Sequence, residues 1–310
     1  MRVLVTGGTG YLGSAIVRAL AARGHDPVVF ARRASQSGGP GASIDGDIRD
    51  RSAVRRAAAG VDAVIHAAAL VSIWHPRPSL FEEINVGGLE ATLDAARALD
   101  IPRIVYTSSF LARPPAGTAI PLSANEYQRT KVRAGQIARA AIESGLPLVS
   151  LIPGVIYGSG KATEGNLVGR MIADHLAGRL PGLIGADRPW SYSYVEDVAD
   201  AHVNALMPGV AAGEYLLGGD NAPPMRVFEI VRDETGAPLP RRIPFPVARM
   251  AGWAAEMRAR ATGHAPVITR AVVEIFRHDW SMDSARSVEK LSYRMTPLNV
   301  GVRALLSARP

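Results

Sequence analysis

Arg2-Val3-Leu4-Val5-Thr6-Gly7-Gly8-Thr9-Gly10-Tyr11-Leu12-Gly13 opens the chain. The β-branched run Val3 to Thr6 reads as a buried strand, and Leu12, Ile16 and Leu20 then repeat at helical spacing until Gly24. Between them, glycines at 7, 10 and 13 give the spacing G-x-x-G-x-x-G. Strand, glycine turn, amphipathic helix and glycine stop follow one another without a gap. Such a turn lets the backbone approach a ligand closely, so amide N–H groups at the helix start meet a pyrophosphate. Gly7, Thr9, Gly10, Tyr11, Leu12 and Gly13 are therefore candidate cofactor contacts.

Outward from this unit the pattern repeats. A second strand, Pro27 to Phe30, ends in Arg32 and Arg33 instead of the acidic residue that binds an adenosine ribose. Guanidinium groups there suit a 2′-phosphate, which favours NADP(H) over NAD(H); the alternative is that both arginines are solvated or lie over the adenine. Ser35 to Ser43 reads as a flexible loop. Gly46-Asp47-Ile48 ends a third strand, with Asp47 either at the adenine edge or capping the next helix. Val61 to His66 is a fourth strand, and Ala67, Ala68 and Ala69 after it are small enough for a cofactor to lie across. Leu80, Ile84, Leu93 and Ala96 keep helical spacing, and Arg103 to Thr107 is a strand running into Ser108-Ser109. Glu126 to Ser144 is a long helix stopped by Gly145, followed by a strand from Leu148 to Ile152 that ends at Pro153-Gly154. The alternation predicts an α/β fold, a Rossmann-type doubly wound parallel sheet with ligands at the strand carboxyl ends.

On the long helix, Tyr127 and Lys131 project from one face. A lysine ammonium beside a tyrosine favours the phenolate, so the pair is a proton-transfer device in the right context, and a surface Tyr with a solvated Lys in any other. After Tyr157 the alternation weakens. A helix around Leu167 to Leu176, a strand from Tyr192 to Val195, a helix from Glu196-Asp197 and a strand from Glu214 to Leu217 precede short helices punctuated by proline. We expect a dinucleotide-binding domain over 1–157 with 190–218 returning to it, and a smaller, discontinuous substrate lobe from 158–189 and 219–310. The helix around Val247 to Arg260 carries Met250, Trp253 and Met257 among arginines, suited to capping a pocket or touching a membrane surface.

Composition narrows the function classes. With 310 residues, 47% of them hydrophobic, the chain can bury a large core. The absence of cysteine excludes disulfides, thiol catalysis and thiolate metal sites, and a reducing cytoplasm is the simplest home. A strand beginning at Val3 leaves no room for a signal peptide, and no apolar run reaches the ~18 residues of a membrane span. The net charge of +7 is spread along the chain rather than blocked, so no nucleic-acid partner is expected. Gly158 to Lys161 resembles part of a P-loop, but Val155 and Ala162 replace its first glycine and its magnesium-binding hydroxyl. No metal spacing is present; His66 and His202 are expected to pack.

The ordered phrases Thr6 to Gly13, Gly46-Asp47, His66 to Ala69, Asn85 to Gly88, Thr107 to Ser109, Tyr127-x-x-x-Lys131, Pro153 to Gly158 and Tyr192 to Val198 together resemble the extended short-chain dehydrogenase/reductase family. His66 to Val71 with Trp74, Asn85 to Leu89, Thr107 to Phe110, and Pro153 to Lys161 with Gly165-Asn166 are most similar to its dihydroflavonol-reductase-like and farnesol dehydrogenase branch. The resemblance implies hydride transfer to or from nicotinamide. It makes Tyr127 the acid/base, Ser109 (or Ser108, one register away) the holder of the reacting oxygen, and Lys131 the contact to the ribose that lowers the Tyr127 pKa. It also places main-chain groups of Pro153, Gly154 and Val155 at the carboxamide, and a homodimer through helices over 79–99 and 126–144.

The substrate side reads as apolar: Val71, Ile73, Trp74, Phe110, Leu111, Val155, Tyr157 and Trp190 are candidate pocket residues, or pack the lobe interface. A small apolar alcohol, aldehyde or ketone fits them. Sugar-nucleotide epimerases and dehydratases share the fold, but Val155 stands where they use Asn, and Trp190-Ser191 where they use Arg-Asp. A third reading is a redox sensor or scaffold that binds the dinucleotide without turnover.

Overall fold

The computed structural model describes residues 1–160 and 163–308; Lys161 and Ala162 of the P-loop comparison lie outside the described residues. In chain order, β1 (Arg2–Thr6) leads to α1 (Tyr11–Ala22), β2 (Asp26–Ala31), β3 (Ala42–Asp45), α2 (Arg51–Ala58), β4 (Ala63–His66), α3 (Ser79–Asn85), α4 (Gly87–Ala98), β5 (Ile104–Thr107), α5 (Glu126–Glu143) and β6 (Leu148–Pro153). There follow β7 (Val155–Tyr157), α6 (Leu167–Leu176), β8 (Leu183–Ile184), β9 (Trp190–Tyr194), α7 (Val195–Asn204), β10 (Gly213–Leu217), β11 (Asn221–Ala222), α8 (Pro224–Thr235), β12 (Arg242–Ile243), α9 (Phe245–Thr262), α10 (Arg270–Ile275), α11 (Ala285–Leu291) and α12 (Leu298–Ser307).

The main sheet has the order β10-β6-β5-β4-β1-β2-β3, and every pairing in it is parallel. Its central strands are apolar on both faces, as a sheet covered by helices on both sides requires. One face packs Val3, Val5 and Ile65 with Ile16 and Leu20 of α1 and Val198 of α7. The other packs Leu4, Val28 and Val64 with Val54, Leu89, Leu93 and Ala138. From β1 the winding runs out to β3 and then restarts at β4 on the opposite side. That reversal opens a crevice at the carboxyl ends of β1 and β4.

A third core, built from Tyr157, Ile172, Trp190, Tyr192, Phe228 and Val302, forms the lobe. Of residues 190–218, α7 packs on α1 and β10 pairs with β6, whereas β9 joins β7 and β11 in a separate three-stranded sheet.

Several local expectations are corrected. The third strand ends at Asp45, before Gly46-Asp47-Ile48, because the chain turns away over the Phe30 ring, where a Cβ on Gly46 would lie 2.3 Å from Cε2. The loop at Ser35 is tied down: its amide and hydroxyl donate to Asp45 at 2.9 and 2.7 Å. The helix expected over 79–99 breaks at Val86, and Gly88 then passes so close to Ile48 that a Cβ would meet Cγ1 at 2.8 Å. α12, absent from the sequence reading, starts where the Asp220 carboxylate accepts the Leu298 amide at 2.8 Å.

Candidate active site

The glycine turn lies at that crevice. Gly7 has φ +72°, and a Cβ there would sit 2.7 Å from the Ala68 Cα, while one on Gly13 would sit 2.1 Å from the Gly7 carbonyl oxygen. The turn is closed by the Gly10 amide donating to Gly7 O at 2.9 Å. Gly10 then serves as the N-cap of α1 with no side-chain cap and no acidic residue in the first turn. The first amides and the positive end of the helix dipole thus face the crevice with no acidic side chain in their own turn. This cradle fits a pyrophosphate. Thr9 is half-buried on the turn, Leu12 packs partly on the core, and the Tyr11 ring is buried against Gly160.

At the adenosine end, Arg32 and Arg33 follow β2 and are exposed. Asp47 is engaged by Arg49 at 2.6 and 3.0 Å; that hydrogen bonding, with a smaller effect of the Arg32 charge, holds its carboxyl below the usual range. It does not cap α2: Asp50 does, accepting from the Ser52 and Ala53 amides. Ile48 is buried against Gly88. Ala67, Ala68 and Ala69 are half-buried after β4, the Ala67 amide donating to Thr6 O at 3.1 Å.

α5 begins at Asn125, whose side chain accepts the Gln128 amide at 2.8 Å. Gln128 is fully buried and ties the helix start to the preceding segment, accepting from the Ala124 amide and donating to Leu111 O. The turn over Phe110–Ala112 starts at Ser109, whose hydroxyl accepts the Leu111 amide at 3.2 Å. Tyr127 is thereby brought to Ser109. Burial pushes its phenol up to about 12, and the interaction with the Ser109 hydroxyl pulls it back. Ser108, one register away, is buried like Ser109, and its amide donates to Leu151 O at 2.8 Å.

The Lys131 ammonium donates to Thr107 O at 3.1 Å and lies 5.3 Å from the Tyr106 ring centroid. Burial lowers its pKa to about 8. The resemblance implies that Lys131 lowers the Tyr127 pKa; in the structure the largest effect on the phenol is its burial, which raises it. Physically, the ammonium is turned to the strand carbonyl rather than to the phenol.

Asn85, named only within a motif phrase, and His66 and His202, expected only to pack, support the site. Asn85 accepts the Leu70 amide at 2.7 Å and donates to Thr130 Oγ1 at 3.0 Å, fastening the loop after β4 to α5. His202 bonds Val198 O through Nδ1 at 2.7 Å and Thr107 Oγ1 through Nε2 at 2.8 Å. A carbonyl only accepts, so Nδ1 carries the proton and Nε2 accepts from Thr107. Thr107, whose carbonyl receives Lys131, is thus held from α7. His66 takes hydroxyl contacts from Thr6 and Thr92 at 2.9 and 3.0 Å. Burial lowers both imidazoles, to about 3 for His66 and about 4 for His202, so both are neutral packing residues. A buried polar residue inside an apolar period was the available signal.

The apolar candidates divide. Val71 is exposed, Ile73 and Trp74 are half-buried on the loop after β4, and Phe110 meets Trp280 edge-on at 5.2 Å. Leu111 and Val155 are buried. Tyr157 and Trp190 do not line the crevice: Tyr157 is enclosed by Tyr192, Tyr194 and Gly301, and Trp190 packs on Phe276 at 4.7 Å. Their bulk fills the lobe core. Pro153 ends β6, and the Gly154 amide is already committed to Leu217 O and Ser193 Oγ, at 3.1 and 3.0 Å.

Residues 3–218 match the model of the NAD dependent epimerase/dehydratase family. The chain is 34% identical over 314 residues to a 2-alkyl-3-oxoalkanoate reductase of Stenotrophomonas maltophilia, covering 92% of this chain and 93% of that one. It is 33% identical over 257 residues to sterol demethylase protein B of Methylococcus capsulatus, covering 78% and 76%. The crystal structure of gox2253 matches with a TM-score of 0.81 at 26% identity, over 99% of this chain and 97% of that one. A parallel nucleotide-binding sheet, the glycine cradle and these relatives agree: the chain belongs to the NAD-dependent epimerase/dehydratase family of extended short-chain dehydrogenase/reductases.

Proposed function

We propose that the chain is an alcohol dehydrogenase or carbonyl reductase for small apolar substrates, with NADP(H) favoured over NAD(H). The observation that carries this reading is the meeting of Ser109 with Tyr127, one helical turn from Lys131 and beside the crevice that begins at Gly7. The nicotinamide supplies or takes the hydride. With its phenol held near 12, Tyr127 keeps its proton at neutral pH and delivers it to the carbonyl oxygen in reduction. Ser109 holds that oxygen and stabilises its developing charge. Lys131 binds the ribose from below about pH 8, where it is charged. Main-chain amides after Gly10 take the pyrophosphate, and the exposed Arg32 and Arg33 suit a 2′-phosphate.

Val71, Ile73, Trp74, Phe110, Leu111 and Val155 supply the apolar wall between the nucleotide domain and the lobe. The names of the relatives, a 2-alkyl-3-oxoalkanoate reductase and a sterol demethylase protein, support an apolar carbonyl compound or its alcohol. A sugar-nucleotide epimerase is the second reading, since it uses the same fold. Trp190, buried to 3% exposure where epimerases place Arg, disfavours a diphosphate sugar.

Incubation with NADPH and a panel of alkyl, aromatic and steroid-like ketones, beside UDP-sugars, tests this. Oxidation of NADPH with a ketone is the expected result; epimerised UDP-sugar with no ketone reduced overturns it.

A further inference from the structure

α9 packs in an inverted manner. The residues it buries are the small Ala248, Gly252 and Ala259, and a Cβ on Gly252 would lie 2.9 Å from the Arg270 amide nitrogen. Its large apolar residues point out: Val247 is 56% exposed, Met250 73%, Trp253 55% and Met257 46%. At 3.6 residues per turn, Met250, Trp253 and Met257 form one stripe on the face opposite Ala248 and Ala259. Arg249 and Arg260 border this stripe on one edge and Arg258 on the other, all exposed. The one acidic residue of the helix, Glu256, is taken by Arg270 at 2.8 Å. An apolar centre with a cationic rim is the pattern of a helix lying in a lipid interface, the apolar side chains among acyl chains and the guanidinium groups at phosphate level.

The helix is a surface element and not a span, for no helix among the described residues is long and apolar enough to cross a membrane. Charge chooses the occupant. A second copy of a chain with net charge +7 would bring the same arginine rim against this one, whereas an anionic lipid surface is complementary to it.

We propose that α9 docks the protein peripherally on anionic membrane surfaces through Met250, Trp253 and Met257. The inference rests on the exposed helix and not on the proposed reaction. The test is flotation of the full chain with vesicles of phosphatidylcholine alone or mixed with phosphatidylglycerol. Trp253 fluorescence is read against brominated acyl chains, and solution mass is determined without lipid. Binding roughly a hundredfold tighter to the anionic vesicles is expected, three arginines contributing about fivefold each. High salt should weaken it. Quenching by brominated lipid should vanish in Trp253→Phe, and Met250→Glu with Trp253→Glu should abolish flotation while the melting temperature persists. Absence of flotation, flotation that survives the double substitution, or a dimer dissociated by it would each overturn the proposal.

Discussion

The crevice end of the main sheet and the core of the lobe use similar residues to opposite effect. At the sheet end, Gly7, Gly13, Ala67 and Ala68 keep side chains away so that backbone and ligand can meet, and Tyr127 stays half-exposed beside Ser109. In the lobe, Tyr157 is fully buried by Gly301 and its neighbouring tyrosines, and its hydroxyl has no partner among the described residues. Two tyrosines with strongly raised pKa values therefore carry different meanings: one faces a hydroxyl in a crevice, the other fills a core. A shifted pKa marks burial; only geometry tells chemistry from packing.

The sharpest way to break this contrast is to remove both hydroxyls in turn. Tyr127→Phe should lower kcat by roughly 10²–10⁴-fold with the cofactor dissociation constant nearly unchanged. Tyr157→Phe should leave kcat alone and hold or raise the melting temperature, because it deletes an unpaired buried hydroxyl. Equal losses of kcat would dissolve the distinction.

Alanine at two glycines is the next contrast. Gly13→Ala drives a Cβ onto the Gly7 carbonyl oxygen, and Gly301→Ala drives one onto the Tyr157 hydroxyl, at 2.1 and 2.3 Å. Each should cost about 1–3 kcal/mol of stability by denaturant titration. Only Gly13→Ala should also abolish cofactor binding by calorimetry.

Lys131 gives a pH test. Its folded pKa of about 8 lies below the ordinary 10.5, so kcat/KM for reduction should fall as pH rises through about 8, with loss of the ammonium. The unfolded chain binds the extra proton between these values, so stability from this residue rises with pH across that window. Lys131→Met should flatten that rise in stability.

The smallest effect belongs to the exposed adenosine end. Arg32→Ala should weaken NADPH by roughly tenfold and NADH hardly at all, the amount a solvent-screened charged hydrogen bond allows. Equal weakening of both would remove the 2′-phosphate reading.

What was legible in the sequence was local. The glycine turn, Ala67 to Ala69 and the Tyr127–Lys131 spacing declare themselves within one strand–turn–helix unit. β3 was misplaced because Ala42–Asp45 is a half-polar edge strand with no apolar run to mark it. Tyr157 and Trp190 stood open between pocket and packing, because an aromatic residue near a motif looks the same whether it lines a pocket or fills a core. The break at Val86, the His202–Thr107–Lys131 series and the capping of α12 by Asp220 join residues far apart in the chain, and no periodicity reports such contacts. The balance on Tyr127, burial against Ser109, is likewise a property of packing.

The most direct test of the central claim is isotopic. NADPH deuterated at nicotinamide C4 is incubated with the wild-type chain and an apolar ketone, and the product alcohol is weighed by mass spectrometry. One deuterium is expected on the carbinol carbon, transferred by wild type and Tyr157→Phe but lost in Tyr127→Phe. Deuterated alcohol formed equally well by Tyr127→Phe would contradict it.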